Sequence, residues 1–132
     1  DVEQVLHGGF PVIFDISLPI GEMENYTTAL QENLGPAIGE HKLWIFGHLG
    51  DGNLHIAVQV QAEDYLRLRP VIEQQVYAPL ADFQGSVSAE HGIGLEKKPY
   101  LHISRSEPEV ALMQCVKKAL DPTSILNPGK IL

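Results

Sequence analysis

The sequence predicts an α+β fold: an antiparallel sheet with helices on one face, followed by a C-terminal helix and a tail. Three observations carry this. Residues 14–18, 41–48 and 54–60 alternate apolar and polar side chains, or run apolar, in the manner of strands. Apolar residues recur at helical spacing in the segments between and after them. Asp51-Gly52 separates two of the strand-like runs, which is a hairpin signal.

In chain order, Phe14, Ile16 and Leu18 should face one side of the first strand, with Asp15 and Ser17 on the other; Pro19 and Gly21 end it. Met23, Tyr26, Leu30 and Leu34 then mark a helix that Gly35-Pro36 should stop. After the hairpin, Pro70 should open a second helix with Val71, Gln75, Val76, Leu80 and Phe83 as its stripe, kinked at Pro79. Residues 86–90 read as a last short strand ending at Gly92-Ile93-Gly94. Ser106 and Glu109 form a capping box for a final helix. Val110, Met113, Val116 and Leu120 should be its buried stripe, and Asp121-Pro122 its end. The order β-α-β-β-α-β is the ferredoxin-like pattern, and no internal linker divides residues 1–132, so a single domain is expected.

With 132 residues, 44% of them hydrophobic, the chain can bury a core. Its formal charge of −8, from 17 acidic and 9 basic residues, argues against nucleic-acid binding and against docking on anionic lipid through basic residues. The single cysteine, Cys115, forms no internal disulfide, and its place beside the last stripe suggests a small core residue. No signal peptide or apolar run of membrane-spanning length is evident, so a cytoplasmic protein is expected, peripheral to a membrane at most. The absence of an initiator Met suggests a piece of a longer protein.

The hairpin carries the chemistry. With Asp51 and Gly52 as central turn residues, Leu49 pairs with Leu54 and His48 with His55, placing two imidazoles side by side. That register assigns Leu43, Ile45, Gly47, Ile56, Val58 and Val60 to the core face, and Trp44, Phe46, His48, His55, Ala57 and Gln59 to the open face. In the last strand Val87 and Ala89 match the core side, and Glu90 projects with the histidines. Two His and one Glu suit a divalent transition metal with open positions. His91, re-aimed by the glycine turn, is placed to act as a general base. A phosphate loop is not indicated, because the glycine-rich stretch lacks the Gly-Lys-Ser/Thr ending. His7, His41 and His102 have no partners in the pattern; Lys97 and Lys98 read as solvated, with Lys97 near the site.

Gly47-His48-Leu49-Gly50-Asp51-Gly52-Asn53-Leu54-His55, Ser88-Ala89-Glu90-His91-Gly92-Ile93-Gly94, and Asp121-Pro122 with Asn127-Pro128-Gly129-Lys130 closely resemble three signatures of one family. It is the C-terminal domain of FAD-linked oxidases of the vanillyl-alcohol-oxidase type. The branch resembled contains the D-2-hydroxyglutarate and D-lactate dehydrogenases and the glycolate oxidase FAD subunit. Asp15-Ile16-Ser17-Leu18-Pro19 also fits, and the likeness spans nearly the whole chain.

The resemblance implies an FAD-dependent oxidation of a D-2-hydroxy acid to the 2-oxo acid, with the flavin held mainly by a separate FAD-binding domain and electrons passed to an acceptor. It implies His48, His55 and Glu90 as ligands of zinc or manganese, His91 as the catalytic base, Asn53 near flavin and substrate, and Asn127 and the tail packed by the flavin domain. Where the hydroxyglutarate branch has a lysine for a distal carboxylate, this chain has Ile13. Two other readings are a stand-alone metal-dependent hydrolase and a non-catalytic module that associates, as a homodimer, through an open sheet face carrying Trp44 and Phe46.

Overall fold

The computed structural model describes residues 11–132; His7 lies outside them. Strands β1 (Val12–Ser17), β2 (Lys42–His48) and β3 (Asn53–Gln59) form an antiparallel sheet in the order β1-β3-β2. Helices α1 (Met23–Ile38) and α2 (Tyr65–Tyr77) cover one face of it. The fold is thus α+β, as expected.

The alternation in the strands decides which face is covered. Phe14 and Ile16 of β1, with Leu54, Ile56 and Val58 of β3, are buried against Tyr26, Leu30 and Leu34 of α1 and Leu68, Ile72 and Val76 of α2. Leu43 and Ile45 of the edge strand β2 pack on the same core less completely. The Tyr26 hydroxyl, itself buried, donates to the Val76 carbonyl at 2.7 Å and ties the helices together.

Both helices differ from expectation at a proline. The first does not stop at Gly35-Pro36 but continues to Ile38, with Gly39 (φ 76°) as its cap. Ile38 is buried, so the extra turn adds apolar contact that offsets the hydrogen bond missing at Pro36. The second begins at Tyr65, not at Pro70, because Leu68 of its first turn is buried. Its buried centre is Leu68, Ile72 and Val76, with Tyr77 beside them, and Pro79 falls in a 3-10 turn, Ala78–Ala81, beyond its end.

The expected fourth strand is a single bridge. Ser86 exchanges both backbone hydrogen bonds with Ser17 of β1, at 2.8 and 3.1 Å, and pairing ends there. The amides of Val87 and Ser88 donate to the hydroxyls of Ser104 and Ser86, and those of Ala89, Glu90 and His91 to the Asp15 carboxylate. Val87 is buried as expected, whereas Ala89 is exposed rather than in the core.

A short helix α3 (Leu101–Ser104) leads to α4 (Glu107–Leu120), whose capping box from Ser106 and Glu109 forms as expected. Its stripe is not buried: no residue of α4 is buried, Val116 and Leu120 are 50% and 78% exposed, and Cys115 is exposed too. Helical spacing shows only that the stripe has one apolar face; nothing among the described residues packs on it closely. The tail returns to the domain through Ile131 N–H on the Gly94 carbonyl (3.0 Å) and through Lys98, which is not free in solvent but donates to the carbonyls of Gly129 and Leu132.

Candidate functional site

The β2–β3 connection is longer than a two-residue turn. Leu49–Asp51 is a 3-10 turn and Gly52 (φ 73°, ψ 13°) is left-handed, a four-residue loop. The register therefore shifts by two from the one expected: His48 pairs with Asn53, and His55 with Phe46. A shift of two preserves the faces, where a shift of one would reverse them. His48 and His55 thus stay on one side of the sheet but meet diagonally, with ring centroids 6.2 Å apart.

Two glycines make this loop possible. A side-chain carbon at Gly47 would lie 2.1 Å from the Asn53 carbonyl oxygen, and one at Gly52 2.2 Å from that of Leu18. The close approach at Gly52 accompanies a backbone bond, since Leu18 N–H donates to the Gly52 carbonyl at 2.9 Å.

The open face assembles around His55. His91 lies 6.2 Å away, centroid to centroid, and Phe46 5.4 Å away. Asn53, buried, donates from Nδ2 to Glu90 Oε1 at 2.5 Å, while its Oδ1 is buried without a partner. His48 Nδ1 is 3.8 Å from the Asp51 carboxylate on the same loop. The structure therefore brings His48, Asn53, His55, Glu90 and His91 into one patch. Asn127 lies elsewhere, in a groove of about 740 Å³ lined also by Gly94, Leu112, Val116, Leu120 and Ile131. Among the described residues, no three His, Cys, Asp or Glu side chains stand close enough together to hold a metal ion.

Asp15 and Lys97 join the patch from beneath. Asp15 pairs with His55 across the β1–β3 ladder, and its carboxylate is fully buried. Burial pushes its pKa up, but the N–H groups of His91 and Glu90 and the Lys97 ammonium pull it down to about 2. Lys97 is only 12% exposed and lies 3.5 Å from that carboxylate, which corrects its reading as a solvated side chain. Burial lowers its pKa, and the neighbouring Asp15 opposes that. The sequence offered one signal for Asp15: a charged residue on the histidine side of the first strand. What that residue meets is set by the pairing of β1 with β3, which puts His55 opposite it.

Residues 4–131 match the FAD linked oxidases, C-terminal domain family. The chain belongs to that family. It is 40% identical over 131 residues to a mitochondrial D-2-hydroxyglutarate dehydrogenase of Danio rerio, covering 98% of this chain and 24% of the relative. To a mitochondrial D-2-hydroxyglutarate dehydrogenase of Arabidopsis thaliana it is 43% identical over 119 residues, 90% of this chain and 21% of the relative. A D-2-hydroxyglutarate–pyruvate transhydrogenase of Saccharomyces cerevisiae is 38% identical over 126 residues, 90% of this chain and 25% of the relative. The chain spans about a quarter of the length of these relatives. Among the described residues, no helix is long and apolar enough to cross a membrane.

Proposed function

We propose that this FAD-linked oxidase C-terminal domain carries the substrate and metal side of an FAD-dependent D-2-hydroxy-acid dehydrogenase. The observation that carries the reading is the patch itself: three imidazoles on one open face, each 6.2 Å from His55 or part of that pair, beside a carboxylate held by Asn53. The family and the names of the relatives support it, and neither the hydrolase nor the purely associative reading gains from them.

Two imidazoles and a carboxylate are donors of the kinds that a divalent ion such as zinc or manganese takes, and His48, His55 and Glu90 would have to draw together to hold one. An ion bound through a ring nitrogen at about 2.1 Å lies roughly 3 Å from the ring centroid, so two imidazoles at a tetrahedral ion stand roughly 5 Å apart. The His48–His55 spacing of 6.2 Å is longer than that, so the exposed His48 side chain would have to turn for both rings to reach one ion. Glu90 would complete the set. A cation held there would lower the pKa of the substrate hydroxyl and bind its carboxylate.

His91 would take the hydroxyl proton. Its Nδ1 faces Asp15 at 3.9 Å, which leaves Nε2, on the far edge of a 60% exposed ring, to receive it. Asn53, rigid in β3 and bonded to Glu90, would orient that carboxylate. FAD, held by a separate flavin-binding domain, would accept the hydride from C2, and the electrons would pass on to an acceptor. Asn127 would face that domain from the tail. Ile13, 63% exposed, offers no cation to a second carboxylate at that position, so a monocarboxylic D-2-hydroxy acid stands beside the hydroxyglutarate named for the relatives as a substrate to test. The mitochondrial relatives make mitochondria the compartment to examine first, ahead of cytoplasm.

The test uses the full-length protein with FAD. Turnover of D-lactate, with hydroxyglutarate as comparison, and one divalent ion per chain are expected; His55→Ala should lose ion and turnover together. Retention of both by His55→Ala would defeat the assignment.

A further inference from the structure

Asp15 is a buried carboxylate whose two oxygens differ: Oδ1 has no hydrogen-bond partner among the described residues, and Oδ2 has several. Its Oδ2 accepts N–H bonds from three successive residues, Ala89 (3.1 Å), Glu90 (2.9 Å) and His91 (2.9 Å), and a fourth bond from the Ser88 hydroxyl (3.2 Å). Successive amides converging on one anion form a nest, an arrangement that fixes both anion and loop. Two of the three amides belong to residues whose side chains stand in the patch. The carboxylate itself sits on β1 directly across the ladder from His55. One buried group therefore references Glu90 and His91 to the strand that carries His55.

Lys97 completes the anchor from the inner side. Its ammonium donates to the Asp15 carbonyl at 3.0 Å and to the Ser88 hydroxyl at 3.1 Å, 3.5 Å from the carboxylate. A buried anion held by amides alone would lack a counter-charge. Lys97 supplies it without touching Glu90 or His91.

We propose that Asp15, with Lys97 as its counter-charge, is a positioning residue that holds the 88–92 loop so that His91 stands beside His55 and Glu90 beside Asn53. That this alignment serves an ion and a proton transfer rests on the function proposed above; that the anchor holds the loop does not.

Two readouts on the chain test it: amide hydrogen exchange at Ala89, Glu90 and His91, and affinity for cobalt(II) added alone. Asp15→Asn should speed exchange at those three amides at least tenfold and weaken cobalt binding at least tenfold, with β3 amides and the far-ultraviolet circular dichroism unchanged. Lys97→Met should do the same more weakly, and Lys97→Arg should restore both. If Asp15→Asn does not fold, the contrast between Lys97→Met and Lys97→Arg decides. Unchanged exchange at the three amides, or fast exchange with cobalt affinity kept within twofold, would overturn the proposal. Should the unaltered chain bind no cobalt, the ion site fails, and exchange alone then decides for or against the anchor.

Discussion

Gly52 holds a left-handed backbone, and a side-chain carbon there would stand 2.2 Å from the Leu18 carbonyl oxygen. Neither segment can give way, because the same pair shares a backbone hydrogen bond. Gly50, two residues earlier, has nothing within 4 Å of such a carbon and no positive φ. Gly52→Ala should therefore cost at least about 2 kcal/mol of stability, and Gly50→Ala within about 0.5 kcal/mol of none, by urea denaturation. Asp15 makes a second prediction at this scale. Its pKa falls from an ordinary 3.8 to about 2 on folding. A depressed carboxylate stabilises the fold above its unfolded pKa, and that contribution is lost as pH falls through about 4 toward 2. The unaltered chain should thus lose about 2 kcal/mol more than Asp15→Asn between pH 5 and pH 2; parallel curves in acid denaturation would contradict it. The sequence sorted His48 and His55 onto one face because strand alternation survives a register shift of two; Glu90 comes to that side on a loop whose amides Asp15 holds, not on a strand. It could not set the register, which depends on whether Asp51-Gly52 is a whole turn or the end of a longer one.

At the scale of elements, α4 is held by its ends rather than by its face. Ser106 N–H and Oγ both bond Glu109 Oε2, at 2.8 and 2.7 Å, closing the first turn. At the other end the Asp121 carboxylate accepts the amides of Ile125 and Leu126, both at 3.0 Å. With no buried residue between them, the helix should open without the sheet unfolding. Ser106→Ala, removing a cap that contributes about 1 kcal/mol, should speed amide exchange in α4 about fivefold and leave the denaturation midpoint of the core unmoved. A shifted midpoint would show that α4 belongs to the core's cooperative unit. The same helix shows what periodicity can and cannot carry. For α1 the stripe Met23, Tyr26, Leu30 and Leu34 was legible and is buried; for α4 an equally regular stripe is not, because spacing reports amphipathicity and not the presence of a partner. Pro36 and Pro70 misled at the boundaries because burial of Ile38 and Leu68 outweighs local propensity. The last strand was misread for a different reason: its amides are taken by a side chain from a distant segment, which no local pattern records.

At the scale of the whole molecule, the described residues leave two apolar surfaces open. The sheet face exposes Ile13 (63%) and Phe46 (56%), flanked by the polar patch. The second is larger: Leu112 (65%), Val116 (50%) and Leu120 (78%) on α4, continued by Ile125 and Leu126 in the following segment, around the 740 Å³ groove. Exposed apolar surface of this extent drives association, while a net charge of −8 opposes it between like copies. Salt screens the repulsion and leaves the apolar attraction, so sedimentation velocity should show self-association that strengthens with ionic strength. Because the helix surface is the larger, Leu112→Lys with Leu120→Lys should abolish that association, and Phe46→Lys should only weaken it. The reverse ranking would place the homodimer on the open sheet face. It would also mean that copies compete with substrate and flavin for the side of the molecule where His48, His55 and His91 lie.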